Sequence, residues 1–523
     1  MSDAYLNSVV TVVAGDSTTR LSREQTAIAS PVEATAEKKD PYLVDHLEPD
    51  DPRNPQSWSR FRKWYLTMAA GLLSLNATFA SSAPAGISQA LMKEFGMSRE
   101  VAILVMSLFV AGYCVGPLLW GPLSEEFGRR PVFLVGFFVY TMFQIGTALS
   151  QNTATVLVLR FLGGTFAACP LANAGAVISD VWDARTRGTA LAIFTVAPFV
   201  GPALGPTVAG FIFVSGTSWR WLFWVLTMFA AFCLGVIVFT MPETYMPVLL
   251  VQRAKRLRKE TGDDRYYAPM EVVKKTVRER TEVILGRPFK MLIQEPMLIA
   301  VTVYQSFVYG CLYLLFAAYP IVFSQGHGLN AGILGLMYLP LMVGGIAAVT
   351  IYIFTFGRRY NREVDRCAPN PVPPEFRLEM ALIAAPLYAI SFFWFGWTSF
   401  PSVSYWAPLM SGLLNGFGIS WIFLSLINYV VDTYLRYAAS ALSVSTVVRS
   451  LFGAAFPLFA PQMYEALNPQ WASSLLGFVA LALMPIPFVF IKYGAALRAR
   501  SKYAPTRTPV TPPRPKESDK ASA

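Results

Sequence analysis

Two arginines stand inside apolar stretches of this chain, Arg160 in "LRFLGG" and Arg449 in "VVRSLFGAAF". A guanidinium in such surroundings is costly and usually serves a site or a pathway. Arg449 lies about eleven residues into its stretch, roughly 16 Å along a helix. It either meets an anionic or phenolic substrate or pairs with a helix C-terminus or with Asp432. Arg160 lies about one turn from an end, so it either snorkels outward or serves the interior. The acids do not complement them: none of the 32 Asp and Glu falls in the middle third of an apolar stretch. Asp180, Asp432 and Glu125 come nearest. At stretch ends they could carry protons, cap helices, or pair with Arg185, Arg187 or Arg436. The only histidines are His46 and His327. The five cysteines form no CxxC or paired framework. No metal set or nucleophile cluster emerges, so the expectation is no cofactor and no enzyme.

What must position these residues is a set of membrane spans. The chain is 54% hydrophobic and 14% charged, against roughly 25% charged in a soluble domain. Its mean hydropathy is +0.44. Twelve apolar segments lie near 64–84, 101–119, 131–149, 156–179, 188–213, 219–240, 298–324, 331–356, 378–398, 405–433, 438–460 and 471–492. Each is long enough for a helical span, and helices satisfy their own backbone in lipid. The sequence therefore predicts an all-α membrane protein with twelve transmembrane helices.

No cleavable leader precedes the first apolar run, which predicts a cytosolic N-terminus. An even number of spans puts the C-terminus on the same side. The loops on that side then hold 22 Lys and Arg, and the opposite loops hold Lys93, Arg99 and Arg220. That bias follows the positive-inside rule. It explains the +11 net charge through topology and lipid attraction, with no need for nucleic acid. The sequon at Asn76 falls inside a span and is a chance match.

A polar stretch at 241–297 divides the spans six and six. It reads as a cytosolic connector whose "VQRAKRLRKETGD" has helical spacing. The expected organisation is a disordered tail at 1–63, a six-helix bundle at 64–240, the connector at 241–297, a second bundle at 298–493 and a disordered tail at 494–523. The halves echo each other: "GPLSEEFGRRP" against "FTFGRRYNR", Asp180 at the end of span 4 against Asp432 at the end of span 10, and proline-glycine runs in spans 5 and 11. This suggests a duplicated unit that rocks about a central site.

With these motifs in view, residues from about 50 to 500 resemble the major facilitator superfamily. The nearest branch is the fungal twelve-span drug:proton antiporters, which includes cycloheximide-resistance, polyamine and toxin exporters. "DPRNPQSW", "RFLGG", "SDVWDARTRG", "GTSWRWLFW" and "MPETY" carry the resemblance. It implies that the loop from Gly121 to Arg130 is a conformational gate. Gly121, Glu125, Gly128, Arg129 and Arg130 match it, Glu126 departs from it, and Asp180 and Asp432 are among the acids it could hold. Arg160 matches the family's span 4 arginine. "GPALGPTVAG", with Gly201, Pro202, Gly205, Pro206 and Gly210, is similar to the antiporter motif of span 5; as pure packing, its small residues would still allow close helix approach. The family cavity is lined by spans 1, 4, 7 and 10. Here they offer Asn76, Asn173, Gln305, Tyr309, Asn415 and Asn428, with Ser81 and aromatics including Phe79, Tyr304, Tyr313, Phe417 and Trp421.

The implied function is efflux of amphipathic aromatic compounds, drugs or a secondary-metabolite toxin such as a cercosporin-like polyketide, in exchange for protons. A proton-coupled uptake symporter or a facilitator for a small nutrient is the alternative. The expected partners are the organic substrate, protons and membrane lipids. The expected state is a monomer in the plasma membrane; a vacuolar or vesicular membrane fits the same features.

Overall fold

The computed structural model describes residues 40–48, 51–272, 279, 282–368 and 370–504. The helices are α1 (Arg60–Ser82), α2 (Ser88–Phe95), α3 (Arg99–Phe127), α4 (Arg129–Ala148), α5 (Thr153–Val181), α6 (Ala184–Phe194), α7 (Ala197–Val214), α8 (Arg220–Thr240), α9 (Met246–Thr261), α10 (Pro269–Val272), α11 (Arg287–Gln294), α12 (Pro296–Tyr319), α13 (Ala331–Leu336), α14 (Leu339–Phe354), α15 (Phe356–Cys367), α16 (Glu379–Thr398), α17 (Trp406–Tyr434), α18 (Ala438–Leu483) and α19 (Pro485–Arg500). No strand occurs among the described residues. Ten segments are long and apolar enough to cross a membrane.

Local sequence sets several helix starts. Ser59, Ser98, Asn152 and Asn330 each accept a backbone N–H of the first turn, which satisfies donors the helix cannot pair itself. Breaks fall at or beside prolines. Span 5 divides into α6 and α7 just before Pro198, and span 8 divides at Met337–Tyr338 before Pro340.

The two halves use the same helix pairings. In the first, α1 packs on α7, α3 on α5, and α4 on both α5 and α8. In the second, α12 packs on α18, α14 on α17, and α16 on both α17 and α18. One crossing repeats to the glycine. A Cβ on Gly164 would lie 2.0 Å from Phe109 O, and one on Gly416 would lie 2.0 Å from Leu341 O. Only a missing side chain allows backbones this close. The halves meet where α3 packs on α18 and α7 packs on α13 and α14.

Several boundaries differ from expectation. The last two spans, joined in α18, separate within 461–470 at a non-helical kink, Asn468 (φ 59°, ψ 158°), and a further break follows at Met484–Pro485. Pro469, just after the kink, restarts the helix at its first turn. The N-terminal tail is ordered well before residue 63. Asn54 caps a short turn at Pro55–Ser57, and Trp58 Nε1 donates to Pro52 O at 2.8 Å. Residues 1–39 lie outside the described residues. The C-terminal tail is helical through Arg500, and Lys502 N donates to Glu295 at 3.2 Å; residues 505–523 lie outside the description. Within the connector, Leu249, Leu250 and Ala254 of α9 pack with Leu47 and Ala268. Its apolar stripe thus covers protein.

Candidate functional site

The expected gate forms a compact cluster at the C-terminal end of α3. Gly121 to Phe127 belongs to α3, because Pro122 is accommodated within the helix. The turn is therefore Gly128 alone, with φ +98°. Nothing crowds Gly121. Arg129 is buried, and its Nε donates to Asp180 Oδ2 at 3.2 Å. Its Nη1 donates to Ser124 Oγ at 2.5 Å, and its guanidinium stacks 4.6 Å from the Tyr245 ring.

The acid at the start of α4 is one that sequence reasoning missed. Glu243 accepts Arg129 N at 2.8 Å and Arg130 N at 3.1 Å, and also Thr244 N and Tyr245 N. Those amides would otherwise be orphan donors, and the helix N-terminus favours a negative charge. Gly128 makes room, since a Cβ there would lie 2.4 Å from Glu243 Oε2. The available signal was "MPETY", an acid directly behind an apolar run. Glu125 is exposed and makes no hydrogen bond among the described residues. Arg130 reaches Val238 O at 3.0 Å. Burial, and then the nearby Glu125, push the Tyr245 hydroxyl above its usual range.

Asp180 takes Arg129, one of the gate arginines, as its partner. Thr244 Oγ1 adds a 3.3 Å bond to Asp180, while Arg187 Nη2 turns to Trp182 O. Asp432 takes Arg377 Nε at 2.9 Å. Arg377 precedes α16 as Arg129 opens α4, so Arg377 is the second half's counterpart of Arg129. The Gly357–Arg359 echo continues as helix in α15, where Arg359 pairs with Glu379 at 2.9 Å. The side chains of Arg185 and Arg436 lie outside the description. One further acid is buried: Glu295, which accepts Tyr434 Oη at 3.3 Å.

Span 5 makes backbone-close contacts on two sides. A Cβ on Gly201 would lie 2.1 Å from Thr78 Oγ1, and one on Gly205 2.4 Å from Ser82 Oγ, both on α1. Across the halves, a Cβ on Gly210 would lie 2.1 Å from Ala331 O. Thr207 Oγ1 donates to Gly335 O at 2.7 Å. Pro202 and Pro206 are buried in the same face. At that end Arg99 pairs with Glu465, and Gln462 Nε2 donates to Glu100 at 3.2 Å.

Between the two ends lies a polar and aromatic seam. On α12 and α18, residues four apart face each other. Ser445 Oγ donates to Gln305 Oε1 at 3.0 Å. The Arg449 guanidinium lies 5.0 Å from the Tyr309 ring centroid and 5.4 Å from that of Phe423. A Cβ on Gly453 would touch Tyr309 at 2.8 Å. Tyr309 Oη reaches Tyr313 Oη at 3.5 Å, and Tyr313 meets Ser81 Oγ of α1 at 2.8 Å. Arg160 is buried and does not snorkel. It donates to Val105 O and Ala80 O, each at 2.9 Å, and stacks 4.0 Å from Phe109. It thereby sits on the C-terminal carbonyls of α1, where a cation is favoured.

The other residues expected to line a cavity divide. Asn76 is fully buried and neither amide atom has a partner. Asn173 is committed inside the first half, accepting Ser124 Oγ at 2.7 Å and donating to Trp120 O at 3.2 Å. Asn415 Nδ2 likewise donates to Ser391 Oγ at 3.0 Å within the second half. These two side chains hold helices together, since a buried amide takes the nearest partner. Asn428 is half-buried. No cluster suited to a metal ion occurs among the described residues.

Residues 68–457 match the family model described as Major Facilitator Superfamily. This chain belongs to the major facilitator superfamily. It is similar to the multidrug transporter mdrA of Aspergillus fumigatus, at 42% identity over 482 residues covering 92% of this chain and 79% of the relative. It is also similar to the ascochitine biosynthesis cluster MFS transporter of Didymella fabae, at 40% over 486 residues, covering 92% and 93%. The efflux pump FUBT of Fusarium oxysporum matches at 41% over 466 residues, covering 89% and 78%. These relatives set the chain in the superfamily's fungal drug-efflux branch, among transporters and not enzymes. Two solved structures share the fold: the human organic anion transporter MFSD10, with TM-score 0.54 at 18% identity over 82% of this chain and 99% of that one, and the proton:xylose symporter XylE, with TM-score 0.57 at 17% over 83% and 96%.

Proposed function

We propose that this superfamily member is a secondary active efflux transporter that moves amphipathic aromatic organic compounds by alternating access. The observation that carries the reading is the seam itself. The halves are drawn together at the Arg99 end by glycine-close backbone contacts and by the Arg99–Glu465 pair. Away from that end, Tyr309, Phe199 and Arg449 are only half-buried. Close contact between the bundles at one end, with a half-buried polar seam between them, fits one conformation of a rocking pair of bundles. The names of the relatives, multidrug transporter and efflux pump, support the outward direction. A fungal secondary-metabolite toxin, such as a cercosporin-like polyketide, is the preferred natural substrate.

On this reading the spans number twelve. Arg60–Ser82 adds one to the ten apolar segments, and Ala438–Arg500, 63 residues long, counts as two about the turn at Asn468. Both termini lie in the cytosol, the membrane is the plasma membrane, and the monomer is the working unit. The Arg129 and Arg377 clusters then sit at the cytosolic ends, where they stabilise each bundle and set the rest position of the gate. The exchanged ion is the proton. The candidate carriers sit at helix ends and not at the centre: Asp180, Asp432 and the exposed Glu125. The test is accumulation of aromatic dyes in yeast stripped of its own drug pumps, with and without a protonophore. Lower accumulation that the protonophore reverses supports proton-driven export; raised accumulation supports uptake and rejects the reading.

A further inference from the structure

The seam holds two guanidiniums and no carboxylate. The Arg449 side chain makes no hydrogen bond or ion pair with any described residue, and its Nε is buried without a partner. Its surroundings are the faces of Tyr309 and Phe423. Arg160 stands on the other side of the same chain of contacts, through Ser81 O at 3.4 Å and then Ser81 Oγ, Tyr313 and Tyr309. Its Nη1 is also buried without a partner. The ion pairs of the described residues all lie elsewhere, at helix ends, in loops and on helices outside the apolar segments. A guanidinium this far inside a membrane protein is normally matched by an opposite charge or by backbone carbonyls. Arg160 has its carbonyls. Arg449 has only ring faces, and it is half-buried.

Resting on the efflux reading above, we propose that Arg449, flanked by Tyr309 and Phe423, is the anion subsite of this transporter, and that its preferred cargo is an aromatic compound bearing a carboxylate, sulfonate or phenolate. The planar guanidinium offers paired N–H donors that match a carboxylate. The rings on either side suit the aromatic body of the same molecule. The sequence gives the register for this: Gln305 and Tyr309 on α12 oppose Ser445, Arg449 and Gly453 on α18, each one turn apart. Gly453 leaves the space that the Tyr309 ring occupies. An anionic cargo also accounts for the absence of a central acid. Such an acid would repel it, and a monoanion leaving an inside-negative cell gains about 2.3 kcal/mol per 100 mV.

The test uses the full chain, purified and also reconstituted in lipid vesicles, with fluorescein as the aromatic anion and rhodamine 6G as an aromatic cation of similar shape. Binding is read by fluorescence anisotropy and transport by dye movement. The expected result is that Arg449→Gln weakens fluorescein binding by roughly tenfold or more and leaves rhodamine 6G binding unchanged. Arg449→Lys is expected to fall between, and a thermal unfolding midpoint within a degree or two of wild type would show the fold intact. Equal loss for both dyes, an unchanged fluorescein affinity, or a wild type that binds only rhodamine 6G would overturn the proposal. If fluorescein binding depends on Arg449 but neither dye crosses the vesicle membrane, the anion subsite stands and the efflux reading falls.

Discussion

Arg129 donates to Asp180 at 3.2 Å, and the same arrangement recurs in the second half, where Arg377 donates to Asp432 at 2.9 Å. In each case an arginine at the entry to the third helix of a bundle holds the acid ending the fourth. The pairs are largely screened from water, with side-chain exposures of 8% and 19% for the first and 12% and 24% for the second. Removing either arginine therefore leaves a poorly solvated carboxylate. Arg129→Gln and Arg377→Gln should each destabilise the protein by roughly 1–3 kcal/mol. Because the two sites lie in different bundles, the effects should add. Thermal unfolding in detergent of both single variants and the double checks this. A double variant no worse than either single one would mean the clusters are not independent.

Glu243 and Gly128 form a second, separable unit. Glu243 accepts four backbone N–H groups, so Glu243→Ala orphans the start of α4 and should cost about 1–2 kcal/mol, in the range of a lost cap. Gly128→Ala should be worse than a usual Gly to Ala change. It combines φ +98° with a Cβ 2.4 Å from the carboxylate. Combining Gly128→Ala with Glu243→Ala should recover part of the loss, because the clash goes and the backbone strain stays. Detergent-solubilised yield and unfolding midpoint are sufficient readouts; no recovery in the double variant would assign the whole effect to the backbone.

The contact between the halves at α7 and α13 can be forced apart. A Cβ at Gly210 would lie 2.1 Å from Ala331 O across the halves, so Gly210→Leu should wedge α7 from α13 and shift the protein away from this conformation. Cys114 provides a native probe, being half-buried with its Sγ 3.5 Å from Val447 O where α3 meets α18. In a Cys367→Ser background, the rate of maleimide labelling at Cys114 should change several-fold in Gly210→Leu. Unchanged labelling together with unchanged transport would show that the α7–α13 contact does not govern the equilibrium.

The C-terminal segment docks on a buried acid. Glu295 accepts both Tyr434 Oη and the backbone of Lys502, and Tyr503 Oη reaches Gln294 at 3.3 Å. Glu295→Leu leaves two donors without acceptors and should cost about 1–3 kcal/mol. It should also make residues beyond Arg500 more sensitive to carboxypeptidase at temperatures where the bundle remains folded. Wild-type sensitivity would place the docking elsewhere.

How far the sequence could be read followed how local each cause was. Apolar runs closed by a proline were legible: the sixth span, expected at 219–240, is Arg220–Thr240, ending two residues before Pro242. The superfamily was legible from contiguous motifs such as "GPALGPTVAG". What depended on which helices meet was not. Arg377 looked like one of five loop arginines, and only the packing of α16 on α17 brings it to Asp432. Glu243 was passed over because it falls just outside an apolar run, although the orphan amides of α4 are what recruit it. Asn173 and Asn415 looked like cavity polar groups because their spans line a cavity, but spacing along one helix does not say which face turns inward. The break expected at 461–470 is there, reduced to a single residue, Asn468.

The central claim is that this chain exports aromatic organic compounds. Its most direct test is initial-rate dye movement in vesicles containing the purified full-length chain, with an imposed proton gradient and with the gradient collapsed. The account predicts substrate movement opposite to the proton flux, reduced by Gly210→Leu and lost for anionic dyes in Arg449→Gln. Movement of dye in the same direction as protons, at a rate that Gly210→Leu leaves unchanged, would contradict it.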